Sequence, residues 1–253
     1  MVNRENGIVR RYISAAIISV LFAASASVAN DGVVIGEGGR VAFLEGEHKS
    51  VRMVRESVRM DVFSDYYVVR AEFVLKNDGD AVDVKMGFPE SGGGAIRSMD
   101  AKTESGFRRF DTKVDGKPVN AIRKLAAFSP MSSYEAFWVK EVHFAKNQTR
   151  TVLVSYRSPP GMANTEKRSK KSLSTTIGYG AAYPFTGGNW RGKVSESKLV
   201  IVSHLPKYYE VTTQPKLRRV GNCYYFRKTD WQAQARVSLD YVDSRKWDRT
   251  PID

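Results

Sequence analysis

The chain has 253 residues, 42% of them hydrophobic, and carries 40 Lys and Arg against 27 Asp and Glu, a formal net charge of +13. That length allows one large or two modest domains, and the apolar content is enough for a real core, which excludes a disordered chain. The single cysteine, Cys223, excludes an internal disulfide, so packing must hold the fold together.

At the N-terminus, Arg4, Arg10 and Arg11 precede an apolar run from Tyr12 to Ala26, and Ser27-Val28-Ala29 follows as a small-x-small cleavage pattern. This predicts a secretory signal peptide over residues 1–29 and a periplasmic or extracellular protein after cleavage near Ala29. The run falls short of the ~20 residues that span a bilayer, which weighs against a retained anchor. Losing it removes three basic residues and one acidic residue and leaves a net charge of +11. Outside the cytoplasm, a basic surface meets phosphorylated glycans, lipid headgroups or acidic polymers more often than nucleic acid.

The glycines at 36, 38 and 39 lack the last glycine of a dinucleotide fingerprint and read as a turn. In Val51–Val62 (VRMVRESVRMDV), Val58, Met60 and Val62 share one parity, which predicts a strand. Glu56 breaks that parity and reads first as a strand-edge charge, with a bulge or a buried arginine partner as alternatives. Tyr67, Val69, Ala71, Phe73 and Leu75 then alternate with polar residues. After Asn77-Asp78-Gly79-Asp80, Val82, Val84, Met86 and Phe88 resume the alternation, which reads as an antiparallel hairpin. Each large apolar side chain stabilises by roughly 1.5–3 kcal/mol when fully buried, and a lone hairpin is marginal, so these residues require a second layer.

Asp115-Gly116-Lys117-Pro118 predicts another hairpin, and residues 121–136 read as a long loop or one helical turn. Phe137–Ala145 and Thr149–Tyr156 read as paired core strands joined by a turn at Lys146-Asn147-Gln148. Ser158-Pro159-Pro160-Gly161 closes the first unit. Lys167, Arg168, Lys170 and Lys171 follow as the densest charge run, read as a solvated linker or loop. Beyond it, IGYGAAYPF, SKLVIV, Tyr208–Val211, Asn222–Phe226 and Arg236–Tyr241 predict a second, smaller β unit.

Catalytic patterns are sparse. His48, His143 and His204 are too widely separated for a metal triad, no GxSxG elbow occurs, and Cys223 reads as a small buried hydrophobe in a strand. No cofactor is expected. Trp138, Trp231, Tyr156, Phe226 and Tyr241 read as core, whereas Trp190, beside Arg191 in a glycine-rich loop, is a candidate for ligand contact or for packing between the two domains. With Lys167, Arg168, Lys170 and Lys171, Trp190 and Arg191 make up the candidate ligand contacts.

The order of VRMVRESVRM, YYVVRAEFVLKND, VKMGFPE, VDGKPV, FWVKEVHFAKNQTRTVLVSY and IGYGAAYPFTGGNWRGKV resembles an exported bacterial family catalogued as domain of unknown function 4424, across nearly the whole mature chain. The first half also looks like the vault-protein and inter-alpha-trypsin-inhibitor type of β module. The resemblance implies no known activity and no catalytic residues.

These readings together predict an all-β chain of two packed antiparallel, immunoglobulin-like β-sandwich domains. The expected divisions are a signal peptide at 1–29, a first domain at 30–160, a basic linker or loop at 161–172, a small second domain at 173–245 and a tail at 246–253. The expected function is a non-catalytic structural or protein-interaction module of the bacterial envelope, partnered by another envelope protein. The alternative is a binding module for an anionic glycan or lipid, and an enzyme with spatially assembled carboxylates stands third.

Overall fold

The computed structural model describes residues 32–35, 40–44, 46–91, 106–127, 134–168 and 172–251. In chain order the strands are β1 (Gly32–Ile35), β2 (Arg40–Phe43), β3 (Val51–Val62), β4 (Tyr67–Asn77), β5 (Val82–Ser91) and β6 (Arg108–Val114). Next come β7 (Lys117–Pro118), β8 (Ile122–Ala126), β9 (Tyr134–Phe144), β10 (Thr149–Ser158), β11 (Gly161–Arg168) and β12 (Ser172–Phe185). The last six are β13 (Val194–Ser203), β14 (Tyr209–Gln214), β15 (Arg218–Val220), β16 (Cys223–Trp231), β17 (Ala235–Asp243) and β18 (Asp248–Pro251). The all-β expectation holds. No helix among the described residues is long and apolar enough to cross a membrane. The predicted signal peptide lies outside the described residues.

The largest sheet has eight strands in the order β15-β16-β13-β3-β4-β10-β6-β7. Strands β1-β2-β8-β9-β5 close a small barrel, and β11-β12-β17-β14 form a third sheet, with β18 also paired to β12. One apolar cluster takes Phe73 from β4, Phe88 from β5, Phe144 from β9, Tyr156 from β10, Tyr183 and Phe185 from β12, Leu199 from β13 and Leu239 from β17. All three sheets therefore turn an apolar face to a shared core, which is the second layer that the β4 and β5 side chains require. Val34, Ala126, Phe137 and Val139 form a separate small cluster.

The expected division into two sandwiches is not how the chain is laid out. Strand β13, from the second half, runs parallel to β3 of the first half from Glu196 opposite Arg55 to Ser203 opposite Val62. Residues expected as a linker are instead an antiparallel hairpin, with Gly161 opposite Gly180 and Arg168 opposite Leu173. Part of 121–136, read as loop or helical turn, forms β8.

Two predicted hairpins are corners between sheets. Strand β4 pairs with β3 and β10, while β5 pairs with β9 and β1, so the turn at 77–80 carries the chain from the large sheet into the barrel. The turn after β9 does the reverse, delivering β10 to the large sheet beside β4. The corners are tied together. Asn77 Nδ2 donates to the carbonyls of Asp80 (2.7 Å) and Ala145 (3.1 Å), its Oδ1 accepts from Gly79 N–H (3.1 Å), and its own N–H donates to Gln148 O (2.9 Å). The hairpin at Asp115-Gly116 does form: both residues have positive φ (50° and 79°), as a tight two-residue turn requires.

A bulge in β3 explains Glu56. The register with β4 shifts between Met53 and Arg55, so the inward parity passes from Val51 and Met53 to Glu56, Val58 and Met60. Because β3 lies between β13 and β4, Glu56 is no edge charge: it is 0% exposed. Its carboxylate accepts from the Tyr183 hydroxyl at 2.8 Å and lies 3.5 Å from Ser197 Oγ, which in turn accepts from Trp231 Nε1 at 3.1 Å.

Candidate functional site

Alternation along β13, β3, β4, β10 and β6 sends one set of side chains to the shared core and the other to the outer face of the large sheet. Register fixes the outer neighbours. Arg59 lies opposite Val200 and Arg70, and Ser155 lies opposite Arg70 and Asp111. One row along, Ser57 lies opposite Lys198 and Glu72, and Leu153 lies opposite Glu72 and Lys113. Short Ser57 and Ser155 leave a hollow between longer neighbours, a groove of about 470 Å³ lined by these ten residues and by Val58, Ala71 and Val154. Leu153 on β10 and Val200 on β13 are its outward apolar residues, and Arg59, Arg70, Lys113 and Lys198 stand around it. A groove of this size falls in the range of small-ligand sites, roughly 300–1,000 Å³.

Two arginines directly opposite one another repel unless a charge is placed between them. Asp61 supplies it. Its Oδ1 accepts from Arg59 Nη2 at 2.8 Å, and its Oδ2 accepts from Arg59 Nε at 2.9 Å and Arg70 Nη1 at 3.1 Å. His204 Nε2 lies 2.9 Å from Oδ1. The Asp61 side chain is only 10% exposed, against 54% and 61% for the two arginines, so the carboxylate sits beneath guanidiniums that reach solvent. The Arg59 hydrogen bonds, helped by His204, hold its pKa down at about 2. His204 is braced by Phe63, stacked at 4.5 Å, and Phe63 by Tyr66 at 4.6 Å, with the Arg157 guanidinium 3.5 Å above the Tyr66 ring. The other outer-face carboxylates that pair do so locally: Glu72 with Arg55 at 2.8 Å, and Glu196 with Lys198 at 2.7 Å and Arg227 at 2.8 Å.

Among the described residues, none of those singled out from the sequence as ligand contacts lines this groove. Trp190 is 0% exposed and belongs to the shared core, so it offers no surface to a ligand. Its loop is docked on the start of β3: Arg191 N–H donates to Val51 O (3.0 Å), His48 N–H to Asn189 O (2.9 Å) and Gly192 N–H to Glu47 Oε2 (2.8 Å). The glycines there serve packing, since a Cβ on Gly187 would lie 3.0 Å from both Ala233 and Val194. Arg191 is exposed, 3.8 Å from Asp78, away from the groove. Lys167 and Arg168 lie in β11, opposite Ser174 and Leu173, in a different sheet. Lys170 and Lys171 lie outside the described residues.

The three histidines have separate surroundings. His48 Nδ1 accepts from the N–H groups of Ser50 (3.2 Å) and Val51 (2.9 Å), and burial lowers its pKa; His143 pairs with Asp83 at 2.7 Å on the surface. Among the described residues no three His, Cys, Asp or Glu side chains group to hold a metal ion. Cys223 lies in a strand as expected but is half-buried rather than enclosed.

No family model matches the chain, and no curated protein matches it. Solved structures do. A Legionella pneumophila protein proposed to bind nutrients superimposes with a TM-score of 0.55 at 16% identity, over 85% of this chain and 71% of that one. This likeness is one of fold alone. An M1 zinc metallopeptidase from Deinococcus radiodurans gives a TM-score of 0.37 at 7% identity over 78% of this chain. The chain spans 43% of that enzyme's length. Leukotriene A4 hydrolase from Saccharomyces cerevisiae gives 0.40 at 11% identity over 81% of this chain and 30% of that one.

Proposed function

We propose that the protein is an exported, non-catalytic binding module that holds an anionic envelope ligand, a glycan or a lipid, on the outer face of its eight-stranded sheet. The observation that carries this reading is the groove between Arg59, Arg70, Lys113 and Lys198. Facing outward with them are Arg55 and Arg227, against Asp61, Glu72, Asp111 and Glu196, so the face keeps a positive surplus that fits the basic charge of the whole chain. A binding role is compatible with the Legionella fold neighbour proposed to bind nutrients. Membership of the exported family that the motif order resembles is part of the same proposal.

The structural or protein-interaction reading has one feature in its favour. Strand β14 ends its sheet among the described residues, and an open strand edge is where a partner chain can add a strand.

Wild type and an Arg70→Glu/Lys198→Glu double variant, each offered an extract of the native envelope, separate the two. The binding reading expects an anionic small molecule held by wild type at ~50 mM salt, released at ~300 mM, and held at least about tenfold more weakly by the variant. A protein retained equally by both, at either salt, supports the interaction reading instead.

A further inference from the structure

The lining of the groove discriminates between the two anionic ligand classes. A glycan presents ring faces that stack on aromatic side chains and many hydroxyls that need fixed polar partners. No aromatic residue lines this groove, and its polar side chains are mostly charged. The outward apolar residues in its lining are Leu153 and Val200, and the aliphatic stems of the arginines and lysines add to them. Five adjacent strands line the groove, so at ~4.8 Å per strand it extends across roughly 19 Å of sheet. That is an elongated groove with an apolar side chain on β10 and another on β13, and cations beside them.

We propose that the groove takes an anionic amphiphile, with a phosphate or carboxylate head between Arg59 and Arg70 and an alkyl or acyl chain lying from there against Leu153 or Val200; this rests on the outer face being the ligand site. The arginines are prepared for such a head. Arg59 uses Nε and Nη2 on Asp61 and keeps Nη1, while Arg70 uses Nη1 and keeps Nη2 and Nε. The N–H groups left over come from two guanidiniums on adjacent strands, held by one carboxylate, and suit an anion with several acceptor oxygens. Ser57 and Ser155 keep the groove open, since a larger side chain at either position would fill it.

The test is a titration of the purified protein with butyl, hexyl, octyl and decyl phosphate, each below its micelle threshold, and with a sulfated oligosaccharide as an anion without a chain. Affinity should rise about two- to fourfold per methylene, as burial of each CH₂ in an open groove dictates. Leu153→Gln should flatten that rise while leaving the thermal midpoint within a few degrees of wild type, and Arg70→Gln should weaken every alkyl phosphate about tenfold. Binding that depends on Arg70 but not on chain length, or an oligosaccharide bound as tightly as decyl phosphate, overturns the amphiphile and leaves the outer face standing. Binding of every probe unchanged by Arg70→Gln overturns the outer face as the site as well. Co-sedimentation with phosphatidylglycerol vesicles that survives Leu153→Gln and disappears at high salt, without binding of the monomeric phosphates, reduces the interaction to surface charge and overturns the proposal.

Discussion

Asp61 determines how Arg59 and Arg70 can face one another across β3 and β4. Its carboxyl titrates near 2 in the folded chain, below the ~3.9 of a free aspartate, so its contribution to stability is present above about pH 4 and is lost as pH falls through about 2. Asp61→Asn should therefore be less stable than wild type near neutral pH, and the gap should close on acidification to pH ~2. Urea denaturation across that pH range measures it. The gap should be modest, because both arginines are more than half exposed and water screens them. A gap that does not change with pH would mean that the asparagine disturbs packing rather than charge. The sequence could not single out this residue: Asp61 is one of many acids until β3 and β4 are in register and His204, 143 positions along the chain, arrives beside it. Trp190 misled for a related reason. A tryptophan in a glycine-rich loop looks available, but those glycines let the loop pack closely enough to bury it.

At the scale of elements, the strands were legible and their partners were not. Alternation located β3, β4, β5, β9 and β10 because each has one face on the shared core. The turns at 77–80 and 145–148 have hairpin composition, and nothing local to them tells a hairpin from a corner between two sheets. What decides is Asn77, whose buried amide bonds to its own turn and to Ala145 of the neighbouring one. Asn77→Ala removes that clamp and leaves buried backbone groups short of partners, which should cost about 1–3 kcal/mol. A thermal midpoint within a degree of wild type would show the corners to be held by the strands alone. The bulge before Glu56 is another local irregularity without a sequence signature, and by reversing parity it converts an apparent surface charge into an interior one.

For the whole molecule, the boundary expected near 161–172 came from a real change in composition, but the core does not respect it. Strand β13 completes the sheet that β3 begins, and Tyr183 of β12 is a donor to Glu56 of β3. A fragment of residues 30–160 should therefore lack a cooperative unfolding transition and expose apolar surface. A fragment that melts cooperatively would restore the two-domain reading. The parallel β3–β13 pair joins segments about 140 residues apart, a long-range contact that no local pattern announces. The basic character of the chain was plain from composition, but the meeting of Arg59, Arg70, Lys113 and Lys198 around one groove required the register of five strands.

The central claim, that the outer face of the large sheet is the ligand site, is tested most directly by mapping backbone amide shifts on titration with octyl phosphate and, separately, with a sulfated oligosaccharide. Whichever probe binds should move Ser57, Arg59, Arg70, Ser155 and Lys198 together, and high salt should suppress the effect. Shifts confined to the Trp190 loop or to β11, or none at all with either anion, would contradict it.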